Sequence, residues 1–236
     1  MNYFAHGRPF VDDPYFLAGT ALPDWLNEVS RRVKARSKHA QAFVEDADPR
    51  LAALARGIVQ HHADDGWFHE TAAFAELSWK LTVLVRDALP PDDGLRPSFL
   101  GHILVELLLD SLLIADEPER LEAYYAALTA VDPGFVEQAV GRIATAAPER
   151  LAQFVPLFIQ ERFLWDYGDD GKLWFRLNQV MRRVKLPPLP EAFCTLLPEA
   201  RRLVAERKAE LLAPTEPEPL NRTREPEASA RARELD

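Results

Sequence analysis

Three of the six histidines of this chain, His61, His62 and His69, fall in one short run, Gly57 to His69, with Asp64 and Asp65 between them. Mixed imidazole and carboxylate ligands suit Mn, Zn, Fe and similar divalent ions rather than calcium. Residues four apart on a helix share a face, one turn above another. His61, Asp65 and His69, at i, i+4 and i+8, therefore form a stripe of metal-competent groups if the run is helical. A second run, Gly101 to Asp110, repeats the pattern with His102, Glu106 and Asp110. Two such helices packed at ~8–10 Å can turn both stripes into a shared interior, with ligands enough for one or two divalent ions. Glu106 and Asp110 sit among Ile103, Leu104, Val105, Leu107, Leu108 and Leu109. A carboxylate there is costly to desolvate unless paired or metal-bound. The alternative is that the helix buries its leucines and presents both acids to solvent. His62 and Asp110 are the candidates to orient a water or protonate a leaving oxygen, and His62 is equally open to a ligand or outer hydrogen-bonding role. Asp64 reads as a solvent-facing neighbour.

The elements that must hold these groups read as helices throughout. No alternating strand pattern and no internal repeat is found, so the expected class is all-α, a multi-helix bundle. Asp13-Pro14 and Asp48-Pro49 each place an N-capping aspartate before a proline at the first helical position. Pro23 is expected to end or bend the first of these helices, leaving Asp24 just past the break, where it either caps a helix or points inward as a ligand. Leu51, Leu54, Ile58 and His61 form an apolar stripe in a helical pattern from Asp48 to about Leu89, which Gly66 is expected to break or kink. Pro90 to Gly94 is a loop, and Ser98 to Ala115 a buried central helix. Further helices are expected over 116–130, 132–146, 147–165, 173–184 and 190–212. Residues 1–212 read as a single helical domain. From 213 to 236 the Pro-, Glu- and Arg-rich composition predicts a disordered tail.

The composition narrows the function. A net charge of −9 over 236 residues argues against general nucleic-acid binding, which is normally basic. The single cysteine, Cys194, permits no internal disulfide, which fits a reducing compartment. No signal-peptide pattern opens the chain, and the apolar run from Ile103 to Ala115, interrupted by Glu106 and Asp110, is short of the ~20 residues of a membrane span. A cytoplasmic protein with no membrane contact is the expectation. A basic cluster, Arg31, Arg32, Lys34, Arg36, Lys38 and His39, stands out in this acidic chain. It is either a solvated face or a docking patch, with Arg31, Arg32 and Lys34 the candidate contacts, for an anionic substrate or an acidic partner.

Three segments resemble a known family. Met1-Asn2-Tyr3-Phe4-Ala5-His6, Leu17-Ala18-Gly19-Thr20-Ala21-Leu22-Pro23-Asp24-Trp25, and Gly57-Ile58-Val59-Gln60-His61 with Asp65 four residues on are similar to the corresponding runs of acyl carrier protein phosphodiesterases. The resemblance covers roughly the first 110 residues. It implies an all-helical, HD-like fold, a metal ion such as Mn, and cleavage of a phosphodiester joining phosphopantetheine to its carrier protein. It also implies His6, Asp24, His61 and Asp65 as site residues, with His102 a further match. His69 and Glu106 rest on spacing alone. The expected function is a metal-dependent phosphohydrolase, most specifically a phosphodiesterase, acting on a phosphate-containing substrate with an acyl carrier protein among the expected partners. Pro23-Asp24 and His102-x-x-x-Glu106 also resemble helical zinc-dependent phospholipase C and nuclease proteins. The competing class is a non-catalytic helical interaction protein with a structural His/Asp cluster.

Overall fold

In the computed structural model, residues 1–30, 32–89, 94–144 and 146–213 are described. The expected tail, from Pro214 onward, lies outside them, as do residues 90–93 of the expected loop. The protein is all-α, with no strand among the described residues.

The chain opens with a one-turn helix α1 (Tyr3–Gly7), followed by α2 (Pro14–Val29) and the short α3 (Ser37–Ala40). Next come α4 (Pro49–Glu70), α5 (Ala72–Ala88) and α6 (Pro97–Asp116). The second half holds α7 (Pro118–Thr129), α8 (Pro133–Ile143), α9 (Leu151–Glu161), α10 (Asp170–Arg183), α11 (Leu197–Glu206) and α12 (Lys208–Leu211). Aspartates start several of these helices as the sequence predicts. The Asp13 carboxylate accepts from the Phe16 amide, Asp48 from Arg50, and Asp132 from Gly134 and Phe135, each with proline at the first helical position. That satisfies amides with no partner inside the helix, and the proline loses nothing by lacking one.

Two expected breaks fall elsewhere. Gly66 lies inside an uninterrupted α4. The chain turns at Thr71, whose hydroxyl donates to the Phe68 carbonyl (2.8 Å) and accepts from the Phe74 amide (3.1 Å). One side chain thus closes α4 and opens α5. Pro23 does not end α2 but sits inside it, so Asp24 is a mid-helix residue and not an N-cap. Tertiary packing outweighs the roughly 3 kcal/mol that an interior proline costs, since Leu22, Pro23, Trp25 and Leu26 are all buried. The single helix expected over 190–212 is instead a 3₁₀ segment, Glu191–Leu196, followed by α11 and α12.

Helix α6 runs through the core, with Leu100, Leu104, Val105, Leu108 and Leu109 fully enclosed. It is long and apolar enough to cross a membrane by length and composition, and most of it is covered by the protein itself. The core also holds the fully buried Phe4, Trp25, Phe68, Tyr124, Phe158 and Phe193, drawn from both halves of the chain.

Two close helix contacts set the positions that matter below. Where α2 crosses α4, a Cβ on Gly19 would lie 2.3 Å from the Leu54 carbonyl oxygen, and one on Gly57 would lie 2.1 Å from that of Phe16. Only glycine at both positions lets the two backbones touch. Where α5 meets α6, a Cβ on Gly101 would lie 2.6 Å from the Ser78 carbonyl oxygen. His61 stands one turn beyond Gly57, and His102 directly follows Gly101, so each contact pins a histidine.

Candidate metal centre

His6, His61 and Asp65 come together in one group. His6 Nε2 lies 3.2 Å from Asp65 Oδ1, and His61 Nε2 lies 3.4 Å from Asp65 Oδ2. The two imidazoles stack with centroids 4.2 Å apart, and both are buried. The other nitrogen of each ring is engaged. His61 Nδ1 lies 2.8 Å from the Thr20 carbonyl oxygen, and His6 Nδ1 lies 3.3 Å from Asp64 Oδ2. A carbonyl and an ionised carboxylate can only accept, so both Nδ1 atoms donate. In a neutral imidazole that leaves Nε2 as a lone pair. Each Nε2 thus faces one oxygen of Asp65, at 3.2 and 3.4 Å. Ligands bonded to one ion at 2.0–2.2 Å lie about 3–3.5 Å apart, so the spacing matches a shared cation. His6 Nε2 in particular is enclosed and makes no aligned hydrogen bond.

The charges agree. Burial is the largest influence on His6 and lowers its pKa, but the Asp64 and Asp65 carboxylates outweigh it and raise the value to about 9. Asp65 is held well below the usual carboxylate range: burial acts upward, and His6, His61 and the Met1 ammonium overcome it. That ammonium donates to Asp65 Oδ1 at 2.7 Å and approaches Glu106 Oε1 at 3.5 Å. It stands in for positive charge at a point where carboxylates converge.

Asp24, expected as a ligand, is not part of this close-set group. Burial pushes its carboxyl pKa up, against the pull of His61 and His6, and no hydrogen bond or ion pair to it is found among the described residues. It lines a cleft of ≈ 380 Å³, together with Tyr3, Asn27, Glu106, Phe163 and Arg176. Pro23 helps to shape the neighbourhood. It has no N–H to donate to the Gly19 carbonyl, and the adjacent carbonyl, that of Thr20, is the one that orients His61.

His69, His102 and Glu106 form a second group. His69 Nε2 lies 3.0 Å and His102 Nε2 3.3 Å from the same oxygen, Glu106 Oε1. Glu106 is ionised, its pKa lowered to about 2: burial raises it, and the Met1 ammonium, His102 and His69 outweigh that.

Several expectations are corrected. His62 packs edge to face on His61, with ring centroids 5.3 Å apart, but its Nε2 lies 2.7 Å from the Ala35 carbonyl oxygen, so that nitrogen ties α4 to the loop before α3. Asp110, expected beside a reacting water, is fully buried. Its oxygens accept from the Phe4 and Ala5 amides at 2.9 and 2.7 Å, capping α1 and so positioning His6. Burial raises the Asp110 pKa to about 7, against the effect of those two bonds. Asp64 is not a solvent-facing neighbour. It is buried and accepts from Gln60 at 2.7 Å as well as orienting His6. Of the basic candidates, Arg31 lies outside the described residues. Arg32 and Lys34 are exposed, and Lys34 donates to Asn27 on the cleft rim at 2.5 Å.

The residues missing from the sequence reading are Asp64, the Thr20 carbonyl and the far wall of the cleft. The only signal for Asp64 was its spacing, three residues from His61 and so on a flank of the same stripe. Phe163 and Arg176 carry no local motif. Comparison with protein-family models, with curated proteins and with solved structures finds no match for this chain.

Proposed function

We propose that the protein is a metal-dependent phosphohydrolase acting on phosphodiesters, with a divalent ion held by His6, Asp24, His61 and Asp65. The observation that carries this is the convergence of two tautomer-fixed histidine nitrogens on one carboxylate, beside a cleft that a second, unpaired carboxylate lines. Outer hydrogen bonds of this kind, donated to the Thr20 carbonyl and to Asp64, are what keep metal-binding histidines oriented and basic. An ion held there would polarise a phosphoryl oxygen and lower the pKa of a water. The protein's own groups do the remainder. Asp24 brings its carboxylate to the cleft wall, and Asp110 fixes the helix that carries His6. Arg176 lies across the cleft, held in place by Asp166 at 2.6–2.8 Å. Tyr3 and Phe163 pack edge to face at 5.9 Å, giving the cleft an aromatic wall against the non-phosphate part of a substrate. Lys34, bonded to Asn27, supplies positive charge at its rim.

Phosphodiester chemistry, an HD-like relationship and a cytoplasmic acyl carrier protein partner are supported by the N-terminal resemblance, since the geometry alone also suits other metal-assisted hydrolyses. The test is direct. Mn-loaded protein is assayed on bis-p-nitrophenyl phosphate and then on holo acyl carrier protein, beside His61→Ala and Asp65→Ala. Hydrolysis by the parent and its loss in both variants, with helical content unchanged, is the expected outcome. A metal-loaded parent inactive on every phosphodiester offered overturns the proposal.

A further inference from the structure

We propose that His69, His102 and Glu106 are a second divalent-metal site, distinct from the His6–His61–Asp65 group. The proposal stands on its own ligands and does not require the phosphohydrolase activity.

Three groups of the right chemistry converge from two helices. His69 is the penultimate residue of α4, and His102 and Glu106 stand one turn apart on α6. Both Nε2 atoms point at Glu106 Oε1, from 3.0 and 3.3 Å, the donor separations that one ion with ligands at 2.0–2.2 Å produces. The two rings lie 5.0 Å apart, inclined at 37°. Phe74 packs on both, with centroids 4.6 Å from His69 and 4.9 Å from His102, and so holds the pair as one unit from α5. The Gly101 contact fixes α6 against α5 one residue before His102. As hydrogen bonds the two contacts are unequal: that of His69, at 3.0 Å, is ordinary, and that of His102, at 3.3 Å, is long. Among the described residues no partner orients either Nδ1, so neither tautomer is set in advance.

The site is connected to the first group but not merged with it. The Met1 nitrogen spans from Asp65 to Glu106 at 2.7 and 3.5 Å, and Glu106 and Asp24 both line the cleft. The second site is also the more open: the side chains of His69 and His102 are 34% and 46% exposed, against 0% and 4% for His6 and His61. With exposed, tautomer-free ligands it binds the weaker and more exchangeable ion.

The experiment is a Mn²⁺ titration of the chelator-treated full chain, followed by the electron paramagnetic resonance of free Mn²⁺ and by isothermal calorimetry. The parent protein is expected to take up two equivalents in two classes. His102→Ala, a half-exposed position that leaves the core intact, should remove the weaker class or weaken it more than tenfold. Glu106→Gln, which keeps the side chain's shape, should do the same, and His61→Ala should remove the tighter class only. A parent protein that binds a single equivalent overturns the proposal. So does a His102→Ala or Glu106→Gln variant that retains both classes with unchanged affinity. Two bound ions in a protein that hydrolyses no phosphodiester would support this site while overturning the activity proposed above.

Discussion

The two histidine–acid groups are built from the same parts in the same spacing, yet their surroundings differ in kind. In the first, each Nδ1 is committed to a carbonyl or a carboxylate, both rings are enclosed, and Asp65 is shared between them. In the second, both rings reach solvent and lean on one oxygen of Glu106. The difference follows from helix geometry. Residues four apart are rotated by about 40° on an α-helix, and residues eight apart by about 80°. The stripe His61–Asp65–His69 therefore cannot serve one point. Its first two members face α1 and α2, and its third faces α6. The stripe on α6 divides likewise: His102 and Glu106 make the second group, and Asp110 drops beneath α1. The two stripes thus divide into an anchor and two groups that could each hold a metal ion, and the depth of each is set by what covers it.

The largest expected contrast comes from removing the acid of each group. Asp65→Ala deletes the partner of two histidines and of the Met1 ammonium together. Breaking a buried pair in this way costs about 3–5 kcal/mol, and the partial exposure of Asp65, 31%, puts the loss near the lower end. Thermal denaturation should show it, and phosphodiester hydrolysis should fall by at least about a thousandfold, or 4 kcal/mol in activation free energy. Glu106→Ala should leave the tighter metal class in place. Equal metal loss in the two variants would mean that the groups act as one site, and the contrast drawn here would fail.

A second contrast tests the helix contacts. Gly57→Ala forces α4 off α2, because its Cβ would meet the backbone of Phe16, which cannot yield. Overpacking of this kind costs about 1–3 kcal/mol, and the shift also draws His61 from the Thr20 carbonyl. Gly101→Ala strains the α5–α6 contact by a similar amount but moves His102. Each variant should therefore weaken its own metal class more than the other, by titration. If both weaken both classes equally, the glycines act through global stability and not by placing ligands.

These contrasts also mark how far the sequence carries. The helix starts at Asp13, Asp48 and Asp132 were legible because an aspartate before a proline acts locally, through one carboxylate and one fixed φ. The pairing of His61 with Asp65, and of His102 with Glu106, was legible for the same reason: one turn of helix settles it. What failed was everything that depended on a neighbour's identity. Pro23 stays inside α2 because the residues around it are buried. The chain turns at Thr71 and not at Gly66, because a hydroxyl bonding both ways ends a helix more firmly than a glycine with space around it. Asp110 and Asp64 both left the roles expected of them, one becoming an anchor for α1 and the other a partner of His6. No spacing rule could show that α1 lies over the one and His6 beside the other. Phe163 and Arg176, which line the far side of the cleft, come from beyond residue 160 and carry no mark in the sequence.

The finest contrast lies in the proton that the first group must give up. His6 has a pKa raised to about 9: burial alone would lower it, and Asp64 and Asp65 overcome that. At neutral pH the metal-free protein therefore holds a proton where an ion would sit, and uptake must release it. Below about pH 9 the affinity of the tighter class should drop roughly tenfold for each unit of pH, levelling off above that value. Asp64→Asn keeps an acceptor for His6 Nδ1 but removes a negative charge. Two effects then oppose each other. His6 becomes a poorer ligand, so that above pH 9 binding should weaken about 10- to 100-fold, the usual cost of an altered outer partner. Its proton is also held less firmly, so the levelling point moves to lower pH and part of the loss is recovered near neutrality. Calorimetry in buffers of different ionisation enthalpy measures the released proton directly. A levelling point that does not move in Asp64→Asn would show that Asp64 does not govern His6. In the second group, whose imidazoles have no such partner, the same substitution should change nothing.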